Sequence, residues 1–242
     1  MIFSKPPTNM KANRNPLVVA GMSLAVALAT NVQAQTVLDT GHADVGFAYE
    51  DHLWNLHVHD EENDIEYAPN EAILQLNPSS ARVIPSAPAF SFLGSAGSIT
   101  YVLPQTQEAG LLFLGLGSEE IPDNEFEGDV FTVSLRSVSG PGTFSLYSVD
   151  GFGNPTVYMN SGNGISNADF YDLPTGGHSH LNWAFSSPGN YTVGIEAAGS
   201  HLGDGVVASG VVNYNFQVVP EPGTWALLGL GGTFLIGLRR RR

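Results

Sequence analysis

The chain of 242 residues contains no cysteine. Without thiols no disulfide can staple the fold and no thiolate metal site can form, so any zinc site must draw on His, Asp or Glu. Lysine is absent from residues 35–219, and the only cations there are Arg82 and Arg136. That excludes Schiff-base lysines and the lysine of a phosphate-binding loop. Against these two cations stand 22 acidic residues, a formal charge of −20 over the same stretch. Such a surface repels phosphate backbones, which excludes nucleic acid as a partner. No Gly-x-Ser-x-Gly nucleophile elbow occurs either.

Long segments of 3.6-residue periodicity are also missing between the two ends. What is present instead is a series of short alternating runs separated by Gly, Pro, Asn and Asp clusters. In residues 53–59, Leu53, Asn55, His57 and His59 share one face of a strand, and Trp54, Leu56 and Val58 the other. Further strands are expected at 36–38, 72–76, 90–93, 99–103, 111–116, 178–185, 191–197 and 206–219. Residues 130–137 and 142–149 read as a hairpin about Ser139-Gly140-Pro141-Gly142. About ten strands with turn signals between them predict an all-β domain over residues 35–218. The expected form is a single antiparallel β-sandwich, Ig-like or jelly-roll. A domain of this size can bury enough apolar surface to do without disulfides.

Both ends differ from this domain. Lys5, Lys11 and Arg14 precede an apolar run at 16–29, and Val32-Gln33-Ala34 supplies small residues at a cleavage position. This predicts a signal peptide over 1–34, with a helical core. At the other end, Pro220-Glu221-Pro222 precedes an apolar run at 225–238 and four arginines, Arg239 to Arg242. As a helix that run reaches only ~21 Å, short of a ~30 Å hydrocarbon core, and Trp225 with snorkelling arginines would close part of the gap. The order and position of these parts resemble the PEP-CTERM sorting signal of Gram-negative bacteria, here over 219–242. The resemblance implies recognition by an exosortase, a transient stay in the inner membrane through the C-terminal hydrophobic helix, and export to the envelope or extracellular matrix.

Two His-x-His pairs stand out, His57/His59 and His178/His180. Seven histidines in 242 residues give about 0.2 such pairs by chance, so the pattern is informative. Residues i and i+2 of a strand project to one face about 6.5–7 Å apart, which lets two imidazoles converge on one ion. The acidic stretch 60–66 lacks the spacing of a calcium loop and reads as a solvated turn.

Four stretches, GHADVGFAYEDHLW, LNPSSARVIPSAPAFSFLG, YVLPQTQEAGLLFLGLGSEEI and GGHSHLNWAFSSPGNYTVGIEA, resemble a family of bacterial surface-anchored domains. Members are associated with zinc or manganese uptake transporters, and a PEP-CTERM branch with zinc-responsive repression. The family's Gly-His-x-Asp element falls on His42 and Asp44. Its His-x-His-x-Asn-Trp element falls on His178, His180, Asn182 and Trp183.

Together these features predict an exported, non-enzymatic protein that binds a divalent transition metal. Zinc is the first expectation, with manganese or another divalent ion as alternatives. The expected ligands are His42, His178 and His180 with one of His57 or His59, while Asp44 and Asp60 orient the rings. Asn182 is either a further supporting residue or a turn residue, and Trp183 a core residue. Expected partners are an exosortase-type enzyme, the membrane, and an exopolysaccharide or a metal-uptake system. The alternative is a structural or adhesive protein of the exopolysaccharide matrix with no metal role.

Overall fold

A computed structural model describes Met1 and residues 34–221. The expected signal helix, the C-terminal hydrophobic run and Pro222 lie outside the described residues. Among those described, no helix is long and apolar enough to cross a membrane.

The described chain is mostly strand. It begins with β1 (Thr36–Leu38), β2 (Gly41–Glu50), β3 (Leu53–Asp60), β4 (Ile65–Tyr67), β5 (Ala72–Leu76) and β6 (Ala81–Val83). Next come β7 (Ile99–Leu103), β8 (Leu112–Gly117), β9 (Val130–Ser139), β10 (Phe144–Val149), β11 (Pro155–Asn160) and β12 (Phe170–Pro174). The last are β13 (His178–His180), β14 (Asn182–Phe185), β15 (Gly189–His201), β16 (Gly205–Ala208) and β17 (Val212–Val218). The all-β expectation holds.

The strands form three sheets. A seven-stranded sheet has the order β1-β5-β17-β15-β9-β12, with β16 added on β15. The two five-stranded sheets are β11-β10-β14-β7-β6 and β13-β8-β2-β3-β4. Both pack on the large sheet: Trp183 and Phe185 of one meet Phe216, and Phe47 of the other meets Phe131. One hydrophobic core runs through all three sheets. At about 1.5–3 kcal/mol for each large apolar side chain buried, its many Leu and Phe residues supply the main folding drive.

Three details depart from the sequence expectation. The pairing is not purely antiparallel, because β1–β5, β5–β17 and β2–β8 are parallel. The strands β9 and β10 form no hairpin: β9 pairs with β12 and β15, and β10 with β11 and β14. The Gly-Pro-Gly segment instead carries the chain from one sheet to another, and Gly142 leaves room for Tyr191, whose Oη would sit 2.7 Å from an added Cβ. Finally, the expected strand at 90–93 falls in a 3₁₀ helix, Pro88–Leu93, where Pro88 opens the first turn.

Two local features set the geometry of the histidine-bearing sheet. The β2–β3 turn has only two residues, Asp51 and His52, at φ 48° and 67°. Both left-handed positions make it a tight hairpin turn, which fixes the register. Asp44 therefore faces His59, and Gly46 faces His57. At Leu181 the chain leaves β13 in this sheet and enters β14 in its neighbour.

Candidate metal centre

Strand β2 sends Ala43, Val45, Phe47 and Tyr49 into the core. Its alternate residues His42, Asp44 and Gly46 therefore line the opposite face of the sheet. Register carries that face across four neighbours. In β8 it holds Phe113, Gly115 and Gly117, in β13 His178 and His180, in β3 His57 and His59, and in β4 Glu66.

Within this face His42, Asp44, His178 and His180 come together, each offering a ligand atom within 4.8 Å of the others. His42 and Asp44 stand two strands from β13, with β8 between them. The gap closes over Gly115. A Cβ there would overlap Asp44 Oδ1 and would lie 2.8 Å from His178 Nε2 and 3.0 Å from His180 Cε1. A glycine in a strand marks such a close approach. His180 also stacks on Phe113, the rings 3.5 Å apart at 12°.

His178 Nε2 lies 2.9 Å from Asp44 Oδ1 and 3.4 Å from His42 Nε2. His42 Nε2 is 3.5 Å from Asp44 Oδ2. Asp44 is only 1% exposed. Among the described residues no aligned donor reaches its Oδ2, and the Glu61 carboxyl adjoins Asp44. Burial, then the adjoining Asp44 carboxylate, raises the Glu61 pKa. His180 Nδ1 is likewise buried, with no aligned hydrogen-bond partner among the described residues.

These contacts split the two β13 imidazoles. His178 is pushed up to about 9, first by its hydrogen bond to Asp44, against burial, with the Asp44 and Glu119 charges adding to it. Glu119 Oε1 sits 2.6 Å from its Nδ1. His180 is pushed down to about 4, first by burial and then by the charge on His178. Asp44 is pushed up by burial, but the His178 hydrogen bond and the His178 and His42 charges outweigh this and hold its carboxyl below the usual range. The cluster thus behaves as a carboxylate clamped between imidazoles, one of which carries a proton.

His57 and His59 are not in this group; Asp44 stands where one of them was expected. From β3 they sit on the far side of β2 from β13. His59 turns to Glu61, at 2.8 Å, and His57 lies over Gly46 against Glu120. Asp60 orients neither ring. One residue past His59 in a strand, it faces the other way, and it closes the turn to β4 by accepting from the N–H of Glu62 and from Asn63. Asn182 also lies elsewhere: it accepts from the Gln105 N–H and donates to Gln105 Oε1 in the neighbouring sheet. Trp183 is a core residue, 1% exposed against Phe144 and Phe216.

The residues missing from the sequence reading are Gly46, Gly115, Gly117, Phe113 and Glu119. One signal was available: Gly115 and Gly117 alternate within an otherwise apolar strand, leaving one face bare beyond Phe113.

Residues 218–242 match the family model described as the PEP-CTERM protein-sorting motif. That motif marks an exported protein, sorted at the cell envelope by an exosortase-type enzyme. Its described part begins at Val218, the last residue of β17, and Pro220 and Glu221 are exposed two and three residues beyond. No curated protein and no solved structure matches the chain.

Proposed function

Taking an exported chain with a surface-sorting motif as the premise, we propose that this protein binds a divalent transition metal, zinc first, without catalysing a reaction. His42, Asp44, His178 and His180 would hold the ion. The observation that carries this reading is the 3.4 Å between His42 Nε2 and His178 Nε2, with the Asp44 carboxylate beside both. Ligands about 2.05 Å from a tetrahedral zinc stand about 3.35 Å from one another. Two imidazole nitrogens at that spacing match the edge of a zinc shell.

Two buried atoms support the same reading. Among the described residues Asp44 Oδ2 and His180 Nδ1 are shielded from water without an aligned hydrogen-bond partner, and a buried polar group left unpaired costs about 1–3 kcal/mol. A cation in the cluster would offset that cost for the carboxylate and would remove the proton from His178. Three imidazoles and one carboxylate suit zinc, copper or nickel better than calcium or magnesium. The bound ion would supply a positive centre joining β2 to β13. At the surface, the protein would hold metal for an uptake system, as the resemblance of the domain implies.

Elemental analysis of the full-length chain, purified without an affinity histidine tag, tests the proposal. The wild type should retain zinc stoichiometrically, and the His178→Ala/His180→Ala double variant should not. His201→Ala should behave as the wild type, since His201 belongs to a separate cluster with Asp204. Equal zinc uptake by all three proteins would sink the metal reading and leave the adhesive matrix role.

A further inference from the structure

A second cluster lies on the same face of the sheet, across β2 from the first. His57, Glu66 and Glu120 each offer a ligand atom within 4.8 Å of the others. His57 is 3% exposed. Its Nε2 lies 3.1 Å from Glu120 Oε1, but the atoms are not aligned as a hydrogen bond, and neither ring nitrogen has a hydrogen-bond partner among the described residues. An imidazole shut away from water with neither nitrogen in an aligned hydrogen bond is a buried polar group short of its counterpart.

The backbone is shaped to seat that ring. Gly46 is the register partner of His57, and a Cβ on it would overlap Nε2 and lie 2.6 Å from Cδ2. Any larger residue at 46 would push the imidazole away. Glu66 comes from β4, beside β3, and Glu120 from the segment that follows β8. That segment serves both clusters with consecutive residues: Glu119 contacts His178 of the first, and Glu120 contacts His57 of the second.

We infer that His57, Glu66 and Glu120 form a second site for a first-row divalent cation, separate from the four-residue cluster. It differs chemically from the first. One imidazole and two carboxylates make a harder donor set than three imidazoles and one carboxylate, and one that accepts manganese as well as zinc. Three protein ligands leave coordination positions to water, and both glutamates are exposed. The second site therefore binds more weakly and exchanges its ion faster than the first. The inference stands on its own residues and does not require the first cluster to bind metal.

The test is titration of the chelator-stripped full-length chain with zinc sulfate, and separately with manganese chloride, followed by calorimetry and equilibrium dialysis. The wild type should take up about two zinc ions, in a tight step and a step at least ~10-fold weaker. Glu120→Gln, a change on an exposed side chain, should abolish the weak step and leave the tight one. His57→Gln should do the same, and His178→Ala/His180→Ala should remove the tight step only. Manganese should bind in the weak step and be lost in Glu120→Gln. If Glu120→Gln and His57→Gln both keep the wild-type stoichiometry, the second site is wrong. The same follows if the wild type takes one ion that the His178/His180 variant removes. A single ion lost in Glu120→Gln but kept in the His178/His180 variant would uphold the second site and overturn the first.

Discussion

Asp44 and His178, 134 residues apart in the chain, meet at 2.9 Å over the bare backbone of Gly115. The contact spans two strand spacings, about 9.6 Å of sheet. It exists because β8, the strand between them, has no side chain at that position.

Gly115→Ala should therefore disable the centre from outside its ligand set. The added methyl would overlap Asp44 Oδ1 and crowd both β13 imidazoles. Zinc affinity should fall about 10–100-fold, as when ligand orientation is lost, and stability by about 1–3 kcal/mol from overpacking. Gly151→Ala, where an added Cβ meets nothing within 4 Å, should change neither. Calorimetry and urea denaturation of the two variants give the comparison.

Zinc uptake should release about one proton per ion near pH 7.5. His178, with a pKa of about 9, arrives protonated and must give up that proton to become a ligand. His180, at about 4, arrives neutral. Binding enthalpies measured in buffers of different ionisation enthalpy count the protons. Affinity should rise about tenfold per pH unit between pH 7 and 9, then level off. A proton count near zero at pH 7.5 would mean that His178 is not a ligand.

The metal-free protein should be most stable near pH 6.5, as far as these two histidines decide it. The raised pKa of His178 adds stability that is complete below its ordinary 6.5 and is lost as pH rises through about 9. His180 works in the opposite sense: its depressed pKa adds stability that is complete above 6.5 and is lost as pH falls through about 4. The lowered Asp44 pKa steepens the acid limb below its ordinary 3.8. Denaturant midpoints of chelator-treated protein across pH 4–10 should trace this maximum. Asp44→Asn should flatten the alkaline limb.

Two neighbours in sequence should behave in unlike ways from the ligands beside them. Trp183→Ala should cost about 3–5 kcal/mol of stability, since the indole fills the core between Phe144 and Phe216. Asn182→Ala should cost about 1–3 kcal/mol by leaving the Gln105 N–H without its acceptor. Zinc stoichiometry of the folded Asn182→Ala protein should match the wild type. Loss of zinc in that variant would place Asn182 in support of the centre after all.

The parts of the candidate site legible in sequence were those with a period. Alternation in β3 correctly put His57 and His59 on one face, and the two-residue spacing of His178 and His180 read the same way. What local pattern could not tell was which pairs share a cluster. That depends on β8 running parallel to β2 and on a glycine gap within it, neither of which is written near the histidines. Asp60 was misread for a simpler reason: it sits an odd number of residues from His57 and His59 and so faces away from them. The expected hairpin at 139–142 failed because Gly-Pro-Gly makes a tight corner whether the flanking strands pair or part. The Leu181 junction, where one run of sequence serves two sheets, had no counterpart in a reading made segment by segment.

The separation of Asp44 from His178 along the chain also bears on when the centre can first exist. Contacts between remote segments form late, because the intervening loop must close before they contribute. In a polypeptide exported unfolded with its N-terminus leading, His42 and Asp44 cross the membrane long before His178 and His180. Until the later pair emerges, the earlier pair has half a cradle. Metal would then be captured on the far side of the membrane, from whatever the surroundings supply, rather than carried out from the cell that made the protein.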